Sequence, residues 1–147
     1  MKLLKEWEQA AIAASNLSEL ELTLGEVAGA VGDAEQSVTY ADRSGDANWK
    51  YASRTTHADA LHQAGRRAEA ETRFREAEQM QAESQPAYPQ LYSLQGFNYC
   101  DLLLAAPERA AWQIILGSAG ARRFHGCSKK QAIAPKSEPS APSFLVL

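Results

Sequence analysis

Three features of this sequence predict an all-α fold. Alanine is abundant and β-branched residues are sparse over the first hundred positions. Alanine loses no side-chain entropy on entering a helix, whereas β-branched residues lose some. Apolar residues recur at steps of three and four, the helical period. Glycines and prolines then cut the chain into segments of helix length. With 147 residues, 45% of them hydrophobic and 22% charged, the chain has the balance of one ordinary globular domain.

The first segment, Met1 to Ala14, places Leu3, Leu4, Trp7, Ala11 and Ala14 at helical spacing, and Ser15 and Asn16 are expected to break it. A second helix is expected to start at "SELE", Ser18 to Glu21, a capping-box pattern. Leu17, Leu20, Leu24, Val27 and Val31 follow as one apolar stripe, expected to face the core. Gly32 and Asp33 supply a stop and a new cap, giving a third helix over Ala34 to Arg43, and Ser44 to Asn48 reads as a loop. Trp49 to Ala64 and Arg66 to Glu83 form the next pair, parted by Gly65, with Ala70, Phe74, Ala77 and Met80 on one face of the latter.

"SQPAYP", Ser84 to Pro89, ends that helix, because proline disfavours helix at the residue before it. Gln90 to Ala105 is helical again. Tyr92, Gly96, Tyr99 and Leu103 make its packing stripe, with Gly96 admitting a close neighbour and Cys100 packed among them. Pro107 is expected to stop this helix and open a short one over Glu108 to Leu116. From Gly117 onward Gly, Ser, Lys and Pro dominate, the composition of a disordered tail.

An internal repeat accompanies these helices. A 33-residue shift lays Gly25 on Ala58, Ala28 on Leu61, Gly32 on Gly65 and Ser37 on Ala70. Leu24, Gly25 and Gly32, then Gly65, Ala70, Phe74 and Ala77, then Tyr92, Gly96 and Tyr99 resemble the pattern of the tetratricopeptide repeat. The third unit departs from that pattern, with Pro107 where a turn glycine belongs. The resemblance implies antiparallel helix-turn-helix units stacked as a short right-handed solenoid. Residues 1–16 would cap it, residues 17–116 would form the repeat domain (units about 17–48, 49–85 and 88–116), and residues 117–147 would be the flexible tail. It also implies a protein-interaction module in which the first helices of successive units line a concave groove. Carried onto this chain, the groove positions are Glu19, Leu22 and Glu26, then Thr55, Asp59 and His62, then Ser93, Phe97 and Asp101. The resemblance implies a protein or peptide partner; Glu26, Asp59 and Asp101 would make the groove mildly acidic, so a segment of basic or mixed apolar character is expected. Self-association through the exposed terminal helix is a further way to cover the end of so short a stack.

Charge and motifs narrow the alternatives. Residues 1–121 hold ten Lys/Arg against seventeen Asp/Glu, a net −7; Arg122 to Leu147 hold five against one, a net +4. An acidic body does not suit phosphate backbones, so no nucleic-acid partner is expected. No apolar run approaches membrane-spanning length, and Glu6 and Glu8 interrupt any secretory signal, so a cytoplasmic protein without a membrane partner is expected. Two cysteines, Cys100 and Cys127, make no disulfide framework. His57 and His62 are five apart and do not share a helical face as metal ligands spaced by four do; His125 and Cys127 lack a second pair of ligands. No metal and no cofactor is expected, and no phosphate loop, nucleophile elbow or zinc-binding helix motif is present. Two rival readings stand beside the interaction module. One is a helical sensor or regulatory fragment of a larger multidomain repeat protein. The other is an enzyme using Cys100, Asp101 or a histidine, which lacks a local base for the thiol.

Overall fold

A computed structural model describes residues 2–127 of the chain, with side-chain surroundings from residue 3 to residue 117. Five helices follow in order: α1 (Lys2–Leu24), α2 (Val27–Ser44), α3 (Ala47–Gln63), α4 (Arg67–Ser84) and α5 (Ser93–Cys127). Among the described residues there is no strand, so the chain is all-α. Connections of two or three residues join α1 to α2 and α3 to α4, and such short links force each pair to run antiparallel and side by side. The result is two helical hairpins, which meet through α2 and α3 and through α1 and α3.

The turns show why the chain reverses where it does. Gly25 and Gly65 adopt left-handed backbone angles, φ of +84° and +77°. The Gly25 N–H donates to the Leu22 carbonyl and the Glu26 N–H to the Glu21 carbonyl, at 3.1 and 2.8 Å. Gly65 N–H to His62 and Arg66 N–H to Leu61 repeat the pattern, both at 2.9 Å. Paired bonds of this kind satisfy the last carbonyls of a helix and require a residue at ease in the left-handed region. The structural equivalent of Gly65 is therefore Gly25, 40 residues earlier, and not Gly32. The same 40-residue step carries buried Ala30, Ala34, Ser37 and Ala41 of α2 onto buried Ala70, Phe74, Ala77 and Gln81 of α4. It also carries Ala11, Ser15 and Ser18 of α1 onto Tyr51, Thr55 and Ala58 of α3.

This register corrects several expectations. α1 runs unbroken through Ser15 and Asn16, and Ser18 does not cap it. Ser15 is satisfied across the hairpin, its hydroxyl donating to the Ser37 hydroxyl at 3.0 Å, and Ser18 donates to the Ala30 carbonyl at 2.8 Å. Residues 1–16 are thus no separate element. Gly32 and Asp33 lie inside α2. Leu17, Leu20 and Leu24, expected in the core, are 45, 56 and 69% exposed. Small residues, Ala11, Ser15 and Ser18, form the inner face instead, so α1 and α2 lie against each other through alanine and serine. On the flank of this hairpin Trp7 lies 5.7 Å from the Tyr40 ring, with the Arg43 guanidinium 4.8 Å over its face.

The heavier core belongs to the second hairpin and the start of α5. Tyr51, Leu61, Phe74, Leu91 and Leu102 are buried with Ala58, Ala70 and Ala77, and Met80 packs against them, so the expected inner face of α4 is the observed one. Tyr99 stacks on Phe74 at 4.9 Å between ring centres. Among the described side chains of α5 Leu102 is buried, and Tyr99 is half-buried beside it. Tyr92 and Leu103 of the expected stripe are 51 and 47% exposed, and Cys100 is exposed as well. The close neighbour of Gly96 is not a helix but the Leu91 carbonyl, 2.5 Å from where a Cβ would stand. The loop ahead of α5 is tied down by α4: the buried Gln81 amide donates to the Tyr88 carbonyl at 2.9 Å, and Glu78 accepts from the Leu91 N–H at 3.3 Å.

A buried arginine joins the two hairpins. Arg54 of α3 is 8% exposed. Its Nη1 and Nη2 donate to Asp42 of α2 at 2.9 and 3.1 Å, and its Nε to Glu76 of α4 at 2.9 Å. Nη1 also donates to the Lys50 carbonyl at 3.1 Å, and Arg73 shares Glu76 at 2.9 Å. Burial alone disfavours the guanidinium charge; the bonds to Asp42 and Glu76 outweigh it and hold the group more firmly protonated than usual.

α5 does not stop at Pro107. It contains this proline and continues to Cys127, so the short separate helix and the non-helical stretch expected from Gly117 are replaced by helix that far. The remainder of the expected tail, 128–147, lies outside the described residues. The chain divides into two compact units at Pro107. The described part of the second is helical throughout and exposes Trp112, Ile114 and Leu116.

Two measurements test this account. Glycine in a helix interior costs about 0.5–1 kcal/mol relative to alanine, and nothing lies within 4 Å of a Cβ placed on Gly32. Gly32→Ala is expected to raise the unfolding free energy by about that amount, and Gly25→Ala and Gly65→Ala to lower it by about 1 kcal/mol or more. Equilibrium urea unfolding checks the signs, which reverse if Gly32 were the turn. The second concerns His57, which is 6% exposed, with its Nδ1 unpartnered among the described residues. Burial lowers its pKa, and Arg73 of α4 and Arg66 just ahead of it lower it further against Glu35 of α2 and Glu69 of α4. The unfolded chain then takes up the proton first, so stability is full above about pH 6.5 and falls as pH drops from there through the folded value. The unfolding free energy of the wild type is expected to decline over that window and that of His57→Gln to decline less; equal slopes would remove His57 from the explanation.

Candidate functional site

The first helices of the two hairpins, α1 and α3, share a cavity with the start of α5, all within the first unit. This cavity, of about 130 Å³, is lined by Ile12, Asn16 and Glu19 of α1, Trp49 and Thr55 of α3, and Leu94, Gln95 and Asn98 of α5. Further along α1 and α3 a shallower hollow of about 300 Å³ is formed by Leu22, Thr23, Val27, Asp59 and Gln63.

Local structure explains how these side chains are presented. Asp46 caps α3, its carboxylate accepting from the Trp49 N–H at 3.0 Å, and so fixes where α3 begins. The Trp49 indole N–H reaches across to Glu8 of α1 at 3.0 Å, which sets the ring between the two helices. Thr55 is buried, with its hydroxyl donating to the Ala52 carbonyl at 2.7 Å.

The site is negative, and its carboxylates feel one another. Glu19 is exposed as a residue, yet its carboxyl is held above the usual range, first by partial loss of water and then by the charge of Asp59. Asp59 is raised as well, chiefly by burial, with Asp101 adding to the effect. The Gln63 amide, 3.4 Å away, and His62 pull it part of the way back. His62 Nδ1 lies 3.5 Å from Asp101 Oδ2, an electrostatic contact too poorly aligned to count as a hydrogen bond. One carboxylate from each of α1, α3 and α5 thus forms a row across three helices.

Of the nine groove positions expected from sequence, six are drawn together. Glu19 and Thr55 line the first cavity, Leu22 and Asp59 the second hollow, and His62 meets Asp101. Three are not. Glu26 sits at the α1–α2 turn, where its carbonyl accepts from the Ala30 N–H. Ser93 opens α5 with a left-handed φ of 58° and lies on the surface, and Phe97 is 69% exposed away from both cavities. Residues the sequence did not single out are Trp49, Asn16, Gln95 and Asn98. Trp49 carried a signal, as the large residue directly after a loop and a capping aspartate; the three amides carried none.

Among the described residues no three His, Cys, Asp or Glu side chains gather as a metal ion would require, and no helix is long and apolar enough to cross a membrane. Comparison with family models, curated proteins and solved structures gave no match to this chain.

Proposed function

We propose that this chain is a helical-repeat interaction module of tetratricopeptide-like kind, holding a basic or mixed basic–apolar polypeptide segment along the face of α1, α3 and α5. The observation that carries this reading is the row Glu19, Asp59 and Asp101. Two of its members, Glu19 and Asp59, have raised pKa values, chiefly because water is partly excluded, and among the described residues no arginine or lysine pairs with them. A cation from a partner relieves both costs, so the face favours positive ligands. Leu22, Ile12 and Leu94 beside the acids give the segment apolar footing. The 40-residue interval between equivalent turns is longer than the roughly 34 residues of the tetratricopeptide unit, so the kinship lies in the hairpin architecture and the groove rather than in the period. The embedded-regulator reading uses the same face and differs only in what the module is attached to.

Fluorescence anisotropy with two short labelled peptides tests this. One alternates arginine and leucine, and the other glutamate and leucine. The basic peptide is expected to bind, with affinity falling as salt is raised from low to physiological strength. Asp59→Asn and Asp101→Asn are each expected to weaken it several-fold. Preference for the acidic peptide, or indifference to salt, would contradict the proposal.

A further inference from the structure

We infer that the cavity between α1, α3 and α5 seats a single arginine side chain of the bound segment; this rests on the groove reading above and names the residue that anchors it. The volume fits. A cavity of about 130 Å³ has room for one guanidinium and part of its stem.

The wall chemistry fits as well. Glu19 provides a carboxylate that no arginine or lysine engages among the described residues, and burial has already removed part of its water. Asn16, Gln95 and Asn98 bring side-chain amides that make no side-chain hydrogen bond among the described residues, so acceptors remain for the outer N–H groups of a guanidinium. Trp49 supplies an aromatic surface whose orientation is fixed in advance by its bond to Glu8. Ile12 and Leu94 supply apolar contact for the methylene stem.

Each alternative occupant fails on one of these walls. A carboxylate meets Glu19 and Asp59 as like charges. An apolar side chain leaves Glu19 and three amides without partners, at a desolvation cost. A lysine ammonium neutralises Glu19 but cannot lie flat on the indole while reaching several acceptors at once, whereas the planar, forked guanidinium does both.

The test uses the arginine-leucine peptide with its arginines replaced one at a time by citrulline, which keeps the shape and removes the charge. One position is expected to weaken binding to the wild-type protein by about tenfold or more. With Glu19→Gln that penalty is expected to shrink to about twofold, because the carboxylate that distinguished the two side chains is gone. Trp49→Phe is expected to weaken the arginine peptide more than the citrulline one. Circular dichroism confirms that each variant is folded, and an exposed glutamate is a mild site for substitution. If the peptide binds but no citrulline position stands out, or the penalty is unchanged in Glu19→Gln, the anchor is wrong while the groove stands. If neither the arginine nor the citrulline peptides bind, the groove reading falls and the anchor with it.

Discussion

The arrangement of the whole first unit hangs on Arg54. The second hairpin and the start of α5 hold the large apolar side chains: Tyr51, Leu61, Phe74 and Leu102. Where the first hairpin meets them, the apolar contact is mostly alanine, with Ala30, Ala34 and Ala60 buried and Leu22 and Val31 alongside. Alanine allows close approach but removes little area from water, so burial alone holds this seam weakly. Arg54 compensates, with a forked bond to Asp42 across the seam and a second bond to Glu76 within its own hairpin. A buried charge is tolerated only when its donors are satisfied, and here one guanidinium is matched by two carboxylates and a carbonyl. The geometry of that match specifies the angle and register of docking, which a smooth alanine face does not.

The groove follows from that docking. Its walls come from α1 on one side of the seam and from α3 and α5 on the other, so neither hairpin has it alone. Fixing the seam brings Asp59 close enough to Glu19 for its charge to raise the Glu19 pKa. The repulsion is a cost the fold bears in the free state. Of the interior polar groups, Ser15, Ser18 and Gln81 are paired and serve packing. Among the described residues the carboxylates of Glu19 and Asp59 have no arginine or lysine bonded to them, and their raised pKa values record that cost.

Much of the second hairpin was legible in the sequence, and much of the first was not. Ala70, Phe74 and Ala77 with Gly65 announce a helix pair because a bulky core residue stands between small ones at helical spacing, followed back to a turn glycine. In the first hairpin the same places hold Ala34 and Ser37, and the conspicuous leucines point to solvent. Hydrophobic periodicity therefore found the wrong face of α1. Ser15 looked like a breaker and Ser18 like a cap because serine competes for backbone bonds, but each has a partner on α2 that only the folded hairpin supplies. Gly32 outweighed Gly25 as a turn because an aspartate follows it; backbone angles, not composition, separate them. For the site, charge placement on α1, α3 and α5 could be read from the repeat pattern. The amides that complete the cavity come from helices whose pairing no local spacing encodes.

A double-mutant cycle on Arg54 and Asp42 tests the central claim most directly. Arg54→Ala is expected to lower the unfolding free energy by about 1–3 kcal/mol, through loss of its charge-assisted bonds and of the packing of its stem, since Asp42 and Glu76 are themselves part-exposed and regain water. Asp42→Asn is expected to cost less, and the double variant to be less destabilised than the sum of the two by about 1 kcal/mol or more. An Arg54→Ala protein within about 0.5 kcal/mol of the wild type, or strictly additive losses, would show that the alanine seam holds the hairpins without the arginine, contrary to this account.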